Sequence, residues 1–105
     1  MKWYHVDIML TALDDIREIQ ENIIKFSGDI EFAKKQKERI LAAINKLSAA
    51  PKIYRVRKKD EFNRPLRYLP VDKYKYIVVY TLYEDEQIVH VLNVFSGQRD
   101  IASLI

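Results

Sequence analysis

The chain has 105 residues, 49% of them apolar and 31% charged, with a net charge of +3; this is enough for one domain with one core, in a globular balance that argues against disorder. It has no cysteine, two histidines and two glycines, which excludes disulfides, zinc–thiolate sites, thiol nucleophiles and glycine-rich phosphate loops. No stretch approaches the roughly 20 apolar residues that span a bilayer, and Met1-Lys2-Trp3-Tyr4-His5 lacks the apolar core of a signal peptide, so we expect a single cytoplasmic domain over residues 1–105 with no membrane span, metal or cofactor.

Residues 3–9 read as a short strand, with Trp3, His5 and Asp7 on one face and Tyr4, Val6 and Ile8 on the other. Thr11 is the expected cap of a first helix, with Asp14 placed to help its free N–H groups. Leu13, Ile16, Ile19, Ile23 and Phe26 form the apolar stripe of that helix. Gly28 is its natural stop, because it reaches positive φ without steric cost. Asp29 can cap a second helix, whose stripe is Ile30, Ala33, Ile40, Leu41, Ile44 and Leu47, and Pro51 follows its end. The short link predicts an antiparallel helical hairpin.

The period then changes. Leu66–Val71 reads as a strand, with Pro65 and Pro70 blurring its ends. Tyr74–Tyr83 is rich in β-branched and aromatic residues and apolar on both faces, which suits a central strand. Glu84-Asp85-Glu86 is a polar turn, and Ile88–Phe95 returns to close an antiparallel hairpin. The order β-α-α-β-β-β predicts an α+β domain, with a helical hairpin packed on one face of a mainly antiparallel sheet.

Charge is unevenly spread. Residues 52–75 carry Lys52, Arg55, Arg57, Lys58, Lys59, Arg64, Arg67, Lys73 and Lys75 against Asp60, Glu61 and Asp72, whereas the first helix is acidic. A basic middle attracts phosphates or an acidic protein; the plain alternative is a solvated, lysine-rich loop. Asp15, Glu18 and Glu21 are expected on the solvated helix face. His5 and His90 read as structural histidines. Tyr68, Tyr74, Tyr76, Tyr80 and Tyr83 can stack on bases, but such residues more often pack a sheet with the hydroxyl at its rim.

Taken together, Ala12-Leu13-Asp14-Asp15-Ile16, Ile40-Leu41-Ala42-Ala43-Ile44-Asn45-Lys46-Leu47 before Pro51, Leu66-Arg67-Tyr68-Leu69-Pro70-Val71, Tyr76-Ile77-Val78-Val79-Tyr80 and Val91-Leu92-Asn93-Val94-Phe95-Ser96-Gly97-Gln98-Arg99-Asp100 resemble the RelE/ParE toxin superfamily over nearly the whole chain. No single motif among them is specific. The resemblance implies the toxin of a bacterial type II toxin–antitoxin module, which arrests growth until a cognate antitoxin neutralises it. RelE-like members cleave mRNA on the translating ribosome, and ParE-like members inhibit DNA gyrase; fold alone does not choose between them.

RNA cleavage by 2′-OH attack needs a base, cations for the developing phosphorane and an acid. If the chain is a ribosome-dependent RNase, the resemblance points to Arg67, Lys75 and Arg99. The position often held by a catalytic arginine is Ile77, and Lys75, two residues earlier, replaces it only in part because it lacks the guanidinium fork. A histidine typical of the ParE-like closing segment is replaced by Ser96, and no Tyr or His follows Arg99. The nuclease set is incomplete, which favours the gyrase-inhibiting branch; a non-toxic interaction module is the remaining alternative. The expected antitoxin- or target-binding residues are Arg67, Tyr68, Lys73, Lys75 and Arg99, with the cations gathered on the sheet face away from the helices. The plain readings are an Arg67–Asp72 ion pair and an Arg99-Asp100 pair that fixes the terminus.

Overall fold

The computed structural model describes residues 3–97 and Leu104. The elements run β1 (His5–Ile8), α1 (Leu10–Ser27), α2 (Ile30–Asn45), a 3-10 turn (Lys46–Ser48), β2 (Val56–Lys59), β3 (Pro65–Val71), β4 (Tyr76–Tyr83) and β5 (Ile88–Ser96). The strands form one sheet in the order β1-β5-β4-β3-β2. β1 lies parallel to β5 and the other pairings are antiparallel. The α+β architecture is the expected one, with one strand more. The sequence shows at Val56–Lys59 only a basic stretch with no apolar alternation; all four residues are exposed, and pairing with β3 makes them a strand.

The helical hairpin forms where the sequence places it, but its start differs. The Met9 N–H bonds to the Val91 carbonyl and the Leu13 N–H to Met9, so α1 leaves β1 directly and Met9, with no side-chain cap, takes the cap position. Thr11 lies inside the helix, and its hydroxyl donates to the Leu92 carbonyl. Asp14 is thereby moved past the first turn and pairs with Arg17 at 2.8 Å. Gly28 ends α1 at φ 70°. The Asp29 carboxylate caps α2 by accepting from the Phe32 N–H at 2.9 Å.

Ala12, Ile16 and Ile19 from α1, and Ile40, Ile44 and Leu47 from α2 and its 3-10 turn, pack on Leu69, Val71, Tyr76, Val78, Tyr80, Val89, Val91 and Val94. This is the main core, and it lies between the helices and one face of the sheet. The helical stripes are shorter than the apolar spacing predicts. Phe26 and Ile30, at the hairpin tip, are 80% and 66% exposed, because the tip has no sheet beneath it to bury them. Gln36 takes a fully buried place on α2 instead. Its Oε1 accepts from the Tyr76 hydroxyl at 2.8 Å, and the Tyr80 hydroxyl donates to the Pro51 carbonyl at 2.8 Å. Burial raises the Tyr76 phenol and pushes that of Tyr80 up to about 12.

Asp15 also departs from its expected solvated place. Its carboxylate accepts from Asn93 Nδ2 at 3.1 Å and from the Val94 N–H at 2.9 Å, tying α1 to β5. The bond falls just after a bulge, where β5 moves from the Tyr80↔Val91 pair to Val79↔Asn93 and leaves Leu92 extra. Among the described residues, no helix is long and apolar enough to cross a membrane.

Candidate functional site

Side chains alternate along a strand, so the residues between those of the main core project from the other face, away from the α1–α2 hairpin. Leu66, Tyr68, Ile77 and Val79 form a second buried cluster there, with Leu92, Phe95 and Leu104 packed against it. The same alternation puts His5, Asp7 and His90 on this face, towards the β1 edge. Asp7 Oδ1 lies 2.7 Å from His5 Nε2, and its Oδ2 lies 3.8 Å from His90 Nε2. The Tyr83 ring meets that of His90 edge-on, with 4.8 Å between centroids. Among the described residues, no group of three or more side chains is arranged to hold a metal.

Arg67 and Lys75, expected to converge on this face, do not. Arg67 pairs across the ladder with Tyr80, a residue of the helix-side core, and shares the side of Leu69 and Val71. Its guanidinium donates to the Tyr54 carbonyl at 2.6 Å, so it braces the segment leading into β2. The Arg67–Asp72 pair is also absent, because Asp72 pairs with Arg39 of α2 at 3.2 Å. Lys75 was assigned to the face of Ile77 by counting two residues back along the strand. That count fails because β4 begins at Tyr76, after a turn in which Asp72, Lys73 and Tyr74 all have positive φ. The Lys75 ammonium lies instead over the Phe32 ring of α2, 5.0 Å from its centroid. Lys73 is exposed in the turn itself. Arg99 lies outside the described residues. Of the described residues of the expected set, Tyr68 is the one placed on the open face.

Two residues that were never singled out stand there with it. β2 pairs only with Pro65–Arg67, the first part of β3, which leaves Tyr68–Val71 without a neighbour on that edge. A basin of about 300 Å³ fills the gap, lined by Ile53, Tyr54, Arg55, Arg57, Tyr68, Pro70, Tyr74 and Ile77. Arg57 is the extra residue of a bulge, because Val56 pairs with Arg67 and Lys58 with Leu66. A bulge re-aims a side chain, and here the guanidinium stands over the Tyr68 ring, 5.2 Å from its centroid. Tyr68 is 5% exposed. Among the described residues, its hydroxyl is the buried side-chain polar atom left without a hydrogen-bond partner. The sequence held one signal for this pair: Arg55 and Arg57 alternate, as neighbours on one side of a strand do. The signal was hidden because the stretch around them is basic throughout.

The β2–β3 turn at the far end of the basic strand is held by Asp60. Its carboxylate accepts from the Phe62 and Arg64 N–H groups, at 3.0 and 2.9 Å, and from Arg64 Nε at 2.7 Å. Desolvation pulls the Asp60 carboxyl upward, but these bonds outweigh it and hold it below its ordinary value.

A five-stranded sheet with one face closed by a helical hairpin, in this element order, can be compared with known proteins. The family model described as "ParE toxin of type II toxin-antitoxin system, parDE" matches residues 6–101. The chain belongs to the ParE toxin family. Like other members of that family, it is a toxin of the type II toxin–antitoxin class. Among solved structures, a chain of the chromosomal ParDE system from P. aeruginosa superposes with a TM-score of 0.73 at 14% identity, over 91% of this chain and 98% of that one. A chain of the RelBE2 toxin–antitoxin complex from Mycobacterium tuberculosis gives 0.60 at 16% identity, over 92% and 94% of the two chains. A mutant of E. coli toxin RelE in the free state gives 0.60 at 16% identity, over 96% and 92%. At these identities the likeness is one of fold. No curated protein matches the sequence.

Proposed function

We propose that this ParE-family toxin arrests growth by a ParE-like route, inhibiting DNA gyrase through surface contacts and without cleaving RNA, and that a cognate antitoxin neutralises it by covering the open sheet face. The observation that carries the reading is the composition of that face. At its centre Ile77, 1% exposed, lies between Pro70 and Phe95 across the ladders, with Val79 next on the same face. A phosphorane needs preorganised cations and a proton donor at that point; neither Arg67 nor Lys75 reaches it, and the guanidiniums near it, Arg55 and Arg57, stand exposed at the rim of a basin floored by hydrocarbon. A face floored by aliphatic and aromatic side chains and edged by two guanidiniums suits a protein surface. The ParDE and RelBE2 neighbours come from toxin–antitoxin systems, which supports an antitoxin partner.

The test is induction of the protein alone, with gyrase supercoiling and mRNA 5′ ends read in the same culture. Lost supercoiling with trapped DNA breaks and unchanged mRNA ends is the expected result. New mRNA ends that appear only during translation would establish the ribosome-dependent RNase instead. Normal growth would leave a non-toxic interaction module. Lys75→Ala should leave growth arrest intact, because Lys75 faces Phe32; loss of arrest in a variant of normal stability would restore Lys75 to the functional site.

A further inference from the structure

We infer that the basin between β2 and the unpaired end of β3 is an anchoring pocket for an acidic–hydrophobic peptide segment, one whose carboxylate is gripped by Arg55 and Arg57 while a neighbouring apolar side chain enters over Ile77 and Pro70. This rests on the reading of an antitoxin that covers the open face, and it names the chemistry by which such a partner would be held.

Four features converge on the same few atoms. Arg55 and Arg57 are both exposed at the rim, and among the described residues no carboxylate lines the basin. Guanidiniums bind a carboxylate through paired N–H donors. Pro70 and the buried Ile77 give an apolar floor, and the volume of about 300 Å³ is at the lower end for ligand sites, suited to a side chain or two. Tyr68, beneath Arg57, keeps a buried hydroxyl with no partner. Buried polar groups in folded proteins are ordinarily paired, and this one, sealed in the free chain, gains an acceptor when the side chains over it shift as a partner binds. Tyr74, 58% exposed, also lines the basin, in a left-handed conformation at φ 68°. Non-glycine residues resist that conformation, and it persists where the surroundings impose it.

A nucleic-acid strand fits this surface less well. It needs a track of cations along its phosphates. Among the described residues, the two arginines and Lys58, which pairs with Leu66 at the β2 edge, are followed across the face by Ile77, Val79, Leu92 and Phe95 and then by Asp7 between two histidines. A protein segment that alternates charge and hydrocarbon matches that sequence of surfaces.

The full-length protein is titrated, with NMR detection, against a capped hexapeptide alternating glutamate and leucine, and in parallel against hexauridylate. We expect saturable peptide binding that shifts the resonances of Arg55, Arg57, Tyr68 and Tyr74. Arg57→Glu should weaken it by roughly tenfold or more, the loss of a charge-assisted contact. Tyr68→Phe should act with opposite signs on two readouts. The free protein should unfold at a higher temperature, because the orphan hydroxyl is gone, and the peptide should bind roughly threefold to tenfold more weakly. Absent peptide binding, unchanged affinity in Tyr68→Phe, or preferential binding of hexauridylate to the same residues would each overturn the inference. Growth arrest on induction without antitoxin is a separate readout. Its absence in the wild type would refute the toxin mechanism while leaving the peptide titration standing, and an arrest retained by Arg57→Glu alongside lost neutralisation would join the two.

Discussion

Three tyrosines on adjacent strands are buried to within a few per cent of one another, and only two are satisfied. On the helix-covered face, Tyr76 donates to Gln36 and Tyr80 to the Pro51 carbonyl. On the open face, Tyr68 has the same burial and no partner. The covered face is therefore finished within the chain: its apolar side chains meet α1 and α2, and its hydroxyls meet acceptors that the hairpin and the following turn deliver. The open face is packed but incomplete. What the difference teaches is that burial within one sheet is not one environment, and that an unfinished polar group locates a partner better than a count of surface cations does.

The comparison can be broken by stability measurements. The largest effect is expected from Ile40→Ala, which removes a side chain that is 0% exposed and enclosed between helix and sheet; denaturant unfolding should show a loss of about 3–5 kcal/mol. Leu66→Ala, away from the α1–α2 hairpin and 7% exposed in a smaller buried cluster, should cost less, about 2 kcal/mol. Equal losses at the two positions would mean that the faces are packed alike. Next comes Gln36→Leu, which leaves the Tyr76 hydroxyl buried and unpaired at a cost of about 1–3 kcal/mol. Adding Tyr76→Phe should recover most of that loss, because both partners are then apolar. A double variant as weak as the single would show that Gln36 matters for its shape alone. The smallest effect concerns alkaline pH. The folded Tyr80 phenol is raised to about 12, against about 10 for an unfolded chain. Its contribution is therefore complete below the unfolded value and fades as pH rises towards the folded one. Ultraviolet titration of tyrosinate should show late ionisation that disappears in Tyr80→Phe, and an unfolding midpoint that falls less steeply in that variant across the same range. An unchanged alkaline slope would place the late ionisation on another tyrosine, Tyr76 first.

Much of the fold was legible because it depends on local rules. Gly28 and Asp29 define the hairpin turn by conformation and capping, and the apolar content of Tyr76–Tyr80 marks a strand whose side chains are buried on both faces. The misreadings came where a neighbour distant in sequence overrides the local pattern. Thr11 looks like a cap, but β5 supplies the Val91 carbonyl that draws the helix start back to Met9. Asp15 looks solvated until the Leu92 bulge turns the Val94 N–H towards it. The candidate site was legible in part: Tyr68 and the basic stretch were noticed, whereas the direction of each cation was not.

By itself, the sequence determined the helical hairpin, four of the five strands and the membership of a toxin superfamily, since periodicity, turn residues and residue order are properties of the chain. Tertiary structure alone decided which basic residues share a face. Side-chain direction follows the register of each strand, and register is set by pairing: an added β2, a bulge at Arg57 and a left-handed turn before Tyr76 sent Arg67 and Lys75 towards the helices and left Arg55 and Arg57 beside Tyr68.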